Sequence, residues 1–474
     1  MNGSTIAALA TPAGRGGIGI IKISGAEAIS IVAGIFRPAK ASWGSSTQLR
    51  RRPGDIRSSF ASHQLHYGHI VDFENNRVLD EVLVAVMRAP RSYTREDVVE
   101  INAHGGPIAV RAILNLVIKQ GARLANPGEF TQRAFLNGRI DLSQAEAVID
   151  IINAQTEKSL QIAAAQVDGR LRKNIEGIRS ALTERLTQFE AAIDFPDDVG
   201  EIIDPEGVRA SLEKAVVEPL RRLIANYREG RILREGLKLT IVGRPNVGKS
   251  SLLNQLVQKD RAIVTALPGT TRDIIEETIN IQGIAVTLTD TAGLHESNDP
   301  IERIGIEKTL EHITKSGLVL FMVEAHHPLT ADDHTIYEKV RSARLIIVIN
   351  KIDLADNDFA EGIPANWKRH EQACISALYG LGIDRLKDMI GLRAFGQDAI
   401  ALDDAIIPNV RHEAILRKTL EAANSVFREM QNGASCELAA IHLKEAINLL
   451  GEITGATAGV DVLEAIFSQF CIGK

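Results

Sequence analysis

The segment Gly243–Ser250, with the sequence GRPNVGKS, has the spacing of a phosphate-binding loop. It follows the apolar run Leu239–Val242 and precedes a segment with helical spacing. Its glycines let backbone N–H groups point at a phosphate, and a helix N-terminus adds partial positive charge. Lys249 is placed to reach the β- and γ-phosphates, and the Ser250 hydroxyl is placed to bind Mg²⁺. The segment therefore predicts a nucleoside triphosphate site.

Three further motifs, in this order along the chain, favour GTP over ATP. In Asp290–Gly293 (DTAG), the carboxylate can hold Mg²⁺ through water and the glycine N–H can bind the γ-phosphate. In Asn350–Asp353 (NKID), a carboxylate at Asp353 can accept from both N1–H and the exocyclic amine of guanine. Adenine lacks this donor pair, which would leave a buried charge unsatisfied. Ser376 and Ala377 then suit a backbone contact to guanine O6.

The usual catalytic groups of such a site are missing from the sequence. Between the phosphate loop and DTAG lies Gly269–Asp273 (GTTRD), where Thr271 is placed to complete Mg²⁺ coordination and to act as a switch on hydrolysis. Many GTPases carry a water-orienting Gln after the DxxG glycine, but this chain has Leu294. No arginine finger can be named either. Another positive charge must therefore neutralise the charge that grows between the phosphates.

The elements around these motifs alternate between strands and helices over residues 237–392. The apolar runs predict four strands, which are Leu239–Val242, Ala285–Thr289, Leu318–Val323 and Leu345–Ile349. The helices predicted between them are Ser250–Val257, Ile301–Thr314 and Asp332–Arg341. Such alternation predicts a doubly wound, mostly parallel sheet that is covered on both faces.

The rest of the chain divides into a mixed segment and two helical ones. Residues 1–122 predict an α+β domain with the strands Gly19–Ser24, Val78–Met87 and Asp97–Ile101, the helix Ile108–Lys119, and an exposed loop Phe36–Ser59. The Arg50–Arg52 stretch of that loop is a candidate for contact with RNA phosphate. Residues 123–236 predict the long helices Leu142–Val167, Ile175–Ile193 and Val208–Arg234. Because residues 393–474 are helical again, the α/β unit is interpreted as an insertion into one helical domain.

Composition limits the class of protein. The chain has 474 residues, of which 45% are apolar and 24% charged, as in folded globular proteins rather than disordered or fibrous ones. A net charge of −6 gives no global positive field for nucleic acid. Three cysteines without a CxxC pair exclude a disulfide framework and argue against a structural zinc site. The lack of a signal peptide pattern and of a long apolar run predicts a cytoplasmic protein without a membrane segment.

The motifs together resemble one known family. GxxNxGKS with Asn246, GTTRD, DTAG, NKxD and the terminal Phe470–Lys474 (FCIGK) are similar to those of the MnmE (TrmE) family of tRNA-modifying GTPases. The resemblance extends over nearly the whole chain, and its other segments are Ala10–Gly17, His104–Pro107, Pro127–Phe130, Arg133–Leu136 and Ala192–Pro196.

The resemblance implies a K⁺-stimulated active site. The matching K⁺ ligands are Asn246, Thr265, Leu267 and Thr270, the Mg²⁺ ligands are Ser250 and Thr271, and the catalytic residues are Lys249 and Glu302. The remaining GTP-binding positions are Val247, Gly248, Ser251, Ala266, Pro268, Gly269, Asp290, Thr291, Ala292, Gly293, Asn350, Lys351, Asp353, Ser376 and Ala377. From the residues alone, Asn246 can also be a turn residue, and the spacing of Glu302 favours a solvated acid at a helix start.

The resemblance also implies a one-carbon site in an N-terminal folate-binding and dimerisation domain. The matching ligands of 5-formyl- or 5,10-methylene-tetrahydrofolate are Lys22, Glu100, Arg139 and Lys474. A carboxylate suits the pterin amino edge, and cations suit glutamyl carboxylates. Read alone, each of the four is an ordinary surface charge. Cys471 is linked to the modification step or is a small buried residue, and His104 either contacts folate or caps a Gly-Gly turn.

The implied activity is a GTP hydrolase in tRNA modification. A homodimer would join an FAD-containing partner (MnmG, also called GidA) in a heterotetramer, with FAD and NADH used only through that partner. The complex would add an aminomethyl or carboxymethylaminomethyl group to C5 of the wobble uridine of certain tRNAs. The alternative is a ribosome-assembly switch that binds RNA without one-carbon chemistry. The N-terminal domain and the Cys471 tail distinguish the two hypotheses.

Overall fold

The computed structural model describes residues 3–39, 60–195, 203–260, 276–290, 316–355, 362–395, 406–431 and 435–474. The chain forms two compact units, the first from Met1–Ile149 with Leu450–Lys474 and the second from Asp150–Leu449. The first unit thus joins the N-terminal segment to the C-terminal tail. Among the described helices, none combines the length and the apolar composition needed to cross a membrane. The predicted boundaries after residues 122, 236 and 392 stay predictions.

The described elements are numbered in chain order. Strands β1 to β13 are Ile6–Leu9, Ile18–Ser24, Phe36–Pro38, Gln64–Asp72, Arg77–Met87, Val98–His104, Arg123–Leu124, Leu237–Gly243, Glu276–Ile281, Ile284–Asp290, Leu318–Glu324, Leu345–Asn350 and Glu371–Cys374. Helices α1 to α14 are Ala28–Ala33, Pro107–Lys119, Glu129–Leu136, Leu142–Asn153, Glu157–Val167, Arg170–Asp194, Pro205–Leu212, Glu218–Glu235, Lys249–Asp260, Ala331–Val340, Ile383–Phe395, Val410–Gln431, Cys436–Thr454 and Val460–Phe467.

A seven-stranded sheet forms the centre of the first unit, with the strand order β3-β4-β5-β6-β2-β1-β7. Neighbouring strands run antiparallel except β1 and β7, which are parallel. Ile29 of α1 and Ile113 of α2 share one apolar core with Ile21 and Val84 of the sheet. The α+β character predicted for this segment is therefore confirmed.

The predicted strands of this unit overlap β2, β5 and β6, and the predicted helix overlaps α2. The prediction that Phe36–Ser59 is an exposed loop is wrong at its start, where Phe36 begins strand β3. Phe36 is buried, and its ring centroid lies 5.6 Å from that of Phe60, so an aromatic contact draws this segment into the core. Residues 40–59, with Arg50–Arg52, lie outside the described residues.

The C-terminal tail belongs to the core of the first unit. Phe467 of α14 and Phe470 pack with Leu142 and Ala145 of α4 in one buried cluster. The two phenylalanine rings are 5.8 Å apart and stacked. This burial holds the end of the chain against residues more than 300 positions earlier in sequence.

Two of the predicted helices are interrupted. The prediction of a single helix over Leu142–Val167 is wrong, because Thr156 starts the new helix α5 as its N-cap. The Thr156 side chain accepts from Ser159 N at 3.2 Å, and the Ser159 hydroxyl accepts from Thr156 N at 3.1 Å. The predicted helix Val208–Arg234 consists of α7 and α8 with a π-helical turn between them, directly before Pro219, which lacks a backbone N–H.

A six-stranded sheet lies in the second unit, with the order β13-β12-β11-β8-β10-β9. All neighbours are parallel except β9, which runs antiparallel to β10. Along β11, Leu320 and Met322 enter one buried core, whereas Val319 and Phe321 enter the core on the other face. The prediction of a doubly wound, mostly parallel sheet is confirmed. The short edge strands β9 and β13 were not predicted, and the predicted helix Ile301–Thr314 lies outside the described residues.

Candidate nucleotide site and one-carbon site

The phosphate loop connects the end of β8 at Gly243 to the start of α9 at Lys249. Gly248 has φ +98, and a Cβ there would lie 2.2 Å from the Asn350 side-chain nitrogen. Asn246 has φ +64, which asparagine tolerates better than most residues, and its side chain is exposed. This backbone conformation supports the turn role of Asn246 without occupying its amide oxygen. Asn246 makes no hydrogen bond with a residue that the structure describes.

The Lys249 side chain is hydrogen-bonded to the backbone of the phosphate loop. Its ammonium donates to the carbonyl oxygens of Gly243 at 2.9 Å and Arg244 at 2.8 Å. Ser250 and Ser251 follow at the exposed start of α9. The positive charge and the hydroxyls therefore sit where a helix N-terminus already favours phosphate.

Asn350 ties the phosphate loop to the predicted guanine motif. Its side chain is buried, donates to Val247 O at 2.7 Å and accepts from Ala377 N at 2.9 Å. Since Ala377 N–H is engaged in this way, it serves the protein in this structure rather than pointing at a base. Asp353 lies exposed in the short 3-10 turn after β12. The structure thus brings three sequence motifs to one edge of the sheet, at the carboxyl ends of parallel strands.

A charged network that the sequence did not predict supports this edge. The Lys351 ammonium donates to the Glu324 carboxylate at the end of β11. Arg244 of the phosphate loop donates to Asp333 at 2.7 Å and lies 3.8 Å from Glu324. Asp333 is fully buried and also caps α10 through Thr330. The network therefore couples the phosphate loop to β11, β12 and α10.

Several predicted nucleotide-site residues cannot be placed. Asp290 ends β10 and is paired in register with Ile241 of β8, which leads into the phosphate loop. Residues 265–271, 291–293 and Glu302 lie outside the described residues. The positions expected for the switch and for three of the four K⁺ ligands are among them.

The four predicted folate ligands lie close together in the first unit, because the charges of Glu100, Lys474 and Arg139 all act on Lys22. Lys22 of β2 pairs across the sheet with Glu100 of β6, and their charged atoms are 3.5 Å apart. The Lys22 ammonium lies 5.0 Å from the centre of the Tyr93 ring, and the Arg139 guanidinium lies 4.7 Å from it. Arg139 also donates to Tyr93 O at 3.1 Å. Tyr93 was not predicted.

Positive charge is concentrated at this place. Burial lowers the pKa of Lys22, Glu100 opposes this effect, and the charges of Lys474 and Arg139 lower the pKa further. The Phe130 ring lies 5.6 Å from the Lys22 ammonium, so aromatic faces flank the charges. One carboxylate, three cations and two rings can receive a flat, hydrogen-bonding ligand that carries its own carboxylates.

The C-terminal tail reaches this place through one backbone hydrogen bond and a turn at Gly473. Phe130 N donates to Lys474 O at 3.2 Å. Gly473 has φ +99, and a Cβ there would lie 2.3 Å from Leu9 O of β1. Cys471 is exposed, so the alternative of a small buried residue is wrong. Only glycine fits the turn that places Lys474 beside strand β1.

Helix α3, which carries Phe130, is anchored by a buried ion-pair network. Glu129 is 3% exposed and accepts from Arg133 at 2.9 Å and from Asn126 N at 3.0 Å. Burial alone would raise the pKa of Glu129, but the hydrogen bonds from Arg123, Asn126 N and Arg133 outweigh it and hold the pKa at about 2. The carboxylate therefore stays ionised in the fold.

His104 does not cap the Gly-Gly turn, which was one of its two predicted roles. It is exposed, and its Nδ1 forms a 2.7 Å hydrogen bond with Asp80 of β5, which also accepts from His104 N at 2.8 Å. The hydrogen bond raises the pKa of His104. The His104 imidazole therefore bonds to the Asp80 carboxylate of the neighbouring strand rather than to the Gly-Gly turn.

Comparisons with known proteins agree with this arrangement. Residues 5–139 match the model described as the N-terminus of the GTP-binding protein TrmE, and residues 142–471 match the model of the MnmE helical domain. The proteins named tRNA modification GTPase MnmE from Moorella thermoacetica and Carboxydothermus hydrogenoformans are 46% identical over 477 residues and 44% identical over 475 residues, respectively. Each alignment covers 99% of both chains. This chain therefore belongs to the MnmE (TrmE) family.

Proposed function

We propose that this chain is a GTP hydrolase that acts in tRNA modification. The observation that carries the proposal is the Asn350 side chain, which joins Val247 of the phosphate loop to Ala377 of the guanine motif. The junction makes phosphate binding and base recognition parts of one site. The name that the full-length relatives carry supports the same activity.

The proposed reaction adds a carboxymethylaminomethyl or aminomethyl group to C5 of the wobble uridine of certain tRNAs. The chain would act in the cytoplasm as a homodimer, with MnmG as the FAD-dependent partner that also uses NADH. Family membership over the whole chain supports this reaction over the alternative of a ribosome-assembly switch. The match of residues 5–139 to the TrmE N-terminus supplies the domain that distinguishes the two.

Mg²⁺ and K⁺ fit the donors that the nucleotide site offers. The Ser250 hydroxyl at the start of α9 would hold Mg²⁺ with Thr271, and the exposed amide oxygen of Asn246 would hold K⁺ with Thr265, Leu267 and Thr270. K⁺ would supply the positive charge that an arginine finger gives in other GTPases. Lys249 would orient the phosphates, and Glu302 would orient the attacking water.

Replacing K⁺ by Na⁺ tests the cation proposal. Because Na⁺ is smaller and suits a different ligand cage, we expect GTP hydrolysis to slow sharply, with nucleotide affinity nearly unchanged. Asn246→Ala should abolish the difference between the two salts. The measurement is the steady-state rate of phosphate release, with GDP binding by calorimetry as the control. Equal rates in K⁺ and Na⁺ would contradict the proposal.

A reduced folate fits the one-carbon site for reasons of charge and shape. Lys22, Arg139 and Lys474 supply cations for the glutamyl carboxylates, while Glu100 can accept from the amino edge of the pterin. The bound 5-formyl- or 5,10-methylene-tetrahydrofolate would supply the carbon unit. Cys471 is proposed to take part in the modification step, and its exposure supports this role.

A further inference from the structure

A group of metal-ligating side chains lies beside the proposed nucleotide site and shares Glu324 with its charged network. Among the described residues, Glu324, His326 and His327 each place one ligand atom within 4.8 Å of the others. Glu324 ends β11, and Ala325 N donates to Asn350 O at 2.8 Å, which fixes the start of the following loop to β12. Imidazole nitrogens with a carboxylate oxygen form a donor set that suits Zn²⁺ and neighbouring divalent transition metals.

The imidazole of His326 has an unused ligand atom. Its Nδ1 is buried and has no hydrogen-bond partner among the described residues. A buried polar atom without a partner costs free energy, so a bound metal ion would remove a defect of the fold. The rings of His326 and His327 are 4.0 Å apart between centroids, so both can face one ion after small side-chain rotations.

Access and further donors come from a neighbouring cavity. His326 and His327 line an open cavity of about 490 Å³ together with His334 of α10. An ion can therefore enter from solvent, and water or a further imidazole can complete its coordination. His327 and His334 are exposed at the surface, whereas His326 is half-buried.

The carboxylate is oriented by charges on its other side. Glu324 is 8% exposed and is paired with Lys351 and Arg244. A carboxylate has about four acceptor positions, so it can keep these partners and still bind an ion. Such outer contacts orient ligands in metal sites. Together with Asp333, which pairs with Arg244, the nearby formal charges sum to zero, so no excess of positive charge repels a dication.

We infer that Glu324, His326 and His327 bind one divalent transition metal ion, for which Zn²⁺ is the probe. The inference does not depend on GTP hydrolysis or on folate binding. Because the metal replaces protons on imidazole, its affinity falls as the pH decreases.

Calorimetric titration of ZnCl₂ into the full-length chain, with Mg²⁺ present in excess, tests the inference. We expect one Zn²⁺ per chain, with an affinity at least about tenfold weaker in His326→Gln/His327→Gln. The matched control is His63→Gln/His66→Gln, which removes two histidines from another surface and should bind as the unaltered chain does. Absence of Zn²⁺ binding by the unaltered chain, or unchanged binding by the His326/His327 variant, would overturn the inference.

A second measurement does not depend on the folding of the variants. Crystals of the unaltered chain soaked in ZnCl₂ should show an anomalous scattering peak between the three side chains. A peak elsewhere only, or no peak, would overturn the inference in the same way.

Discussion

Asn350 shows how much of the site depends on a single side chain. Asn350 is 2% exposed, and its side-chain amide forms hydrogen bonds with backbone groups of two distant segments. Removing it would leave Val247 O and Ala377 N without partners, at a cost of about 1–3 kcal/mol for each buried group. The residue is therefore required for the geometry of the site even before a nucleotide binds.

Asp353→Asn should change the base that the chain selects. The amide keeps one acceptor but replaces the charged oxygen that accepts from the guanine amine with an N–H donor. Xanthine carries a carbonyl at that position, so the variant should prefer xanthine nucleotides. We expect GDP affinity to fall by about 100-fold or more, from the loss of charge-assisted hydrogen bonds.

Competition between GDP and XDP for a fluorescent nucleotide measures this preference. Asp332→Asn, a change at a nearby carboxylate on the exposed side of α10, serves as the control and should leave guanine preference intact. A variant at Asp353 that still binds GDP as tightly as the unaltered chain would contradict the assignment of this carboxylate.

Glu129 should make the fold sensitive to acid. Its pKa is about 2 in the fold against an ordinary value of 4.5, so its contribution to stability is complete above about pH 4.5 and is lost as the pH falls towards 2. The contribution is on the order of 3 kcal/mol. Glu129→Gln should therefore be less stable than the unaltered chain at pH 7. The difference in unfolding free energy between the two proteins should narrow towards pH 2.

Urea unfolding of both proteins at several pH values measures this gap. The other carboxylates are the same in the two proteins, so the pH dependence of the difference in unfolding free energy reports on Glu129. A gap that stays constant between pH 7 and pH 3 would show that the Arg123 and Arg133 contacts do not hold the charge.

At the scale of elements, the register of β2 and β6 brings together two residues of the proposed one-carbon site. Lys22 and Glu100 lie opposite each other, so both project from the same face of the sheet. A slip of one residue would move one of them to the other face. The pairing of two strands, rather than any local sequence motif, therefore brings these charges together.

The tail contributes through the turn at Gly473. Gly473→Ala would place a methyl group against Leu9 O in a left-handed conformation, so we expect the tail to shift and Lys474 to leave the site. Calorimetry with 5-formyl-tetrahydrofolate should then show clearly weaker binding, as it should for Glu100→Ala. Gly459→Ala is the matched control, since a Cβ there meets nothing within 4 Å. Unchanged folate affinity in Gly473→Ala would show that the C-terminal tail does not contribute to the folate site.

The elements that the sequence predicted best are those with an uninterrupted signal. Strands buried on both faces, such as β11 and β12, are continuous apolar runs, and the phosphate loop has a fixed spacing. The break before Glu157 was missed because only three residues, 154–156, separate the two helices, and the apolar period continues on both sides. Edge strands β9 and β13 carry too few buried positions for a clear pattern.

The parts of the sites that were missed depend on contacts far apart in the chain. Tyr93 and Phe130 have no local feature that marks them, and only the folded sheet places their rings beside Lys22. Glu324 reads as the polar end of an apolar run, and its link to Lys351 needs two parallel strands side by side. Sequence therefore predicted the motifs, whereas the residues that support them came from the fold.

At the scale of the whole molecule, the two proposed sites lie in different units of one chain. The second unit holds the phosphate loop and the guanine motif, and the first unit holds the group of charges around Lys22. We propose that both sites serve a single reaction on tRNA, in which GTP hydrolysis and the one-carbon donor are each required. This joint requirement is the central claim.

Mass analysis of tRNA nucleosides tests that claim most directly. The chain in living cells is replaced by Lys249→Ala, by Glu100→Ala, or by the surface control Arg172→Ala, with protein levels matched by immunoblot. We expect C5-modified wobble uridine to disappear in the first two strains and to remain in the third. Full modification in the Glu100→Ala strain, or in the Lys249→Ala strain, would contradict the joint requirement.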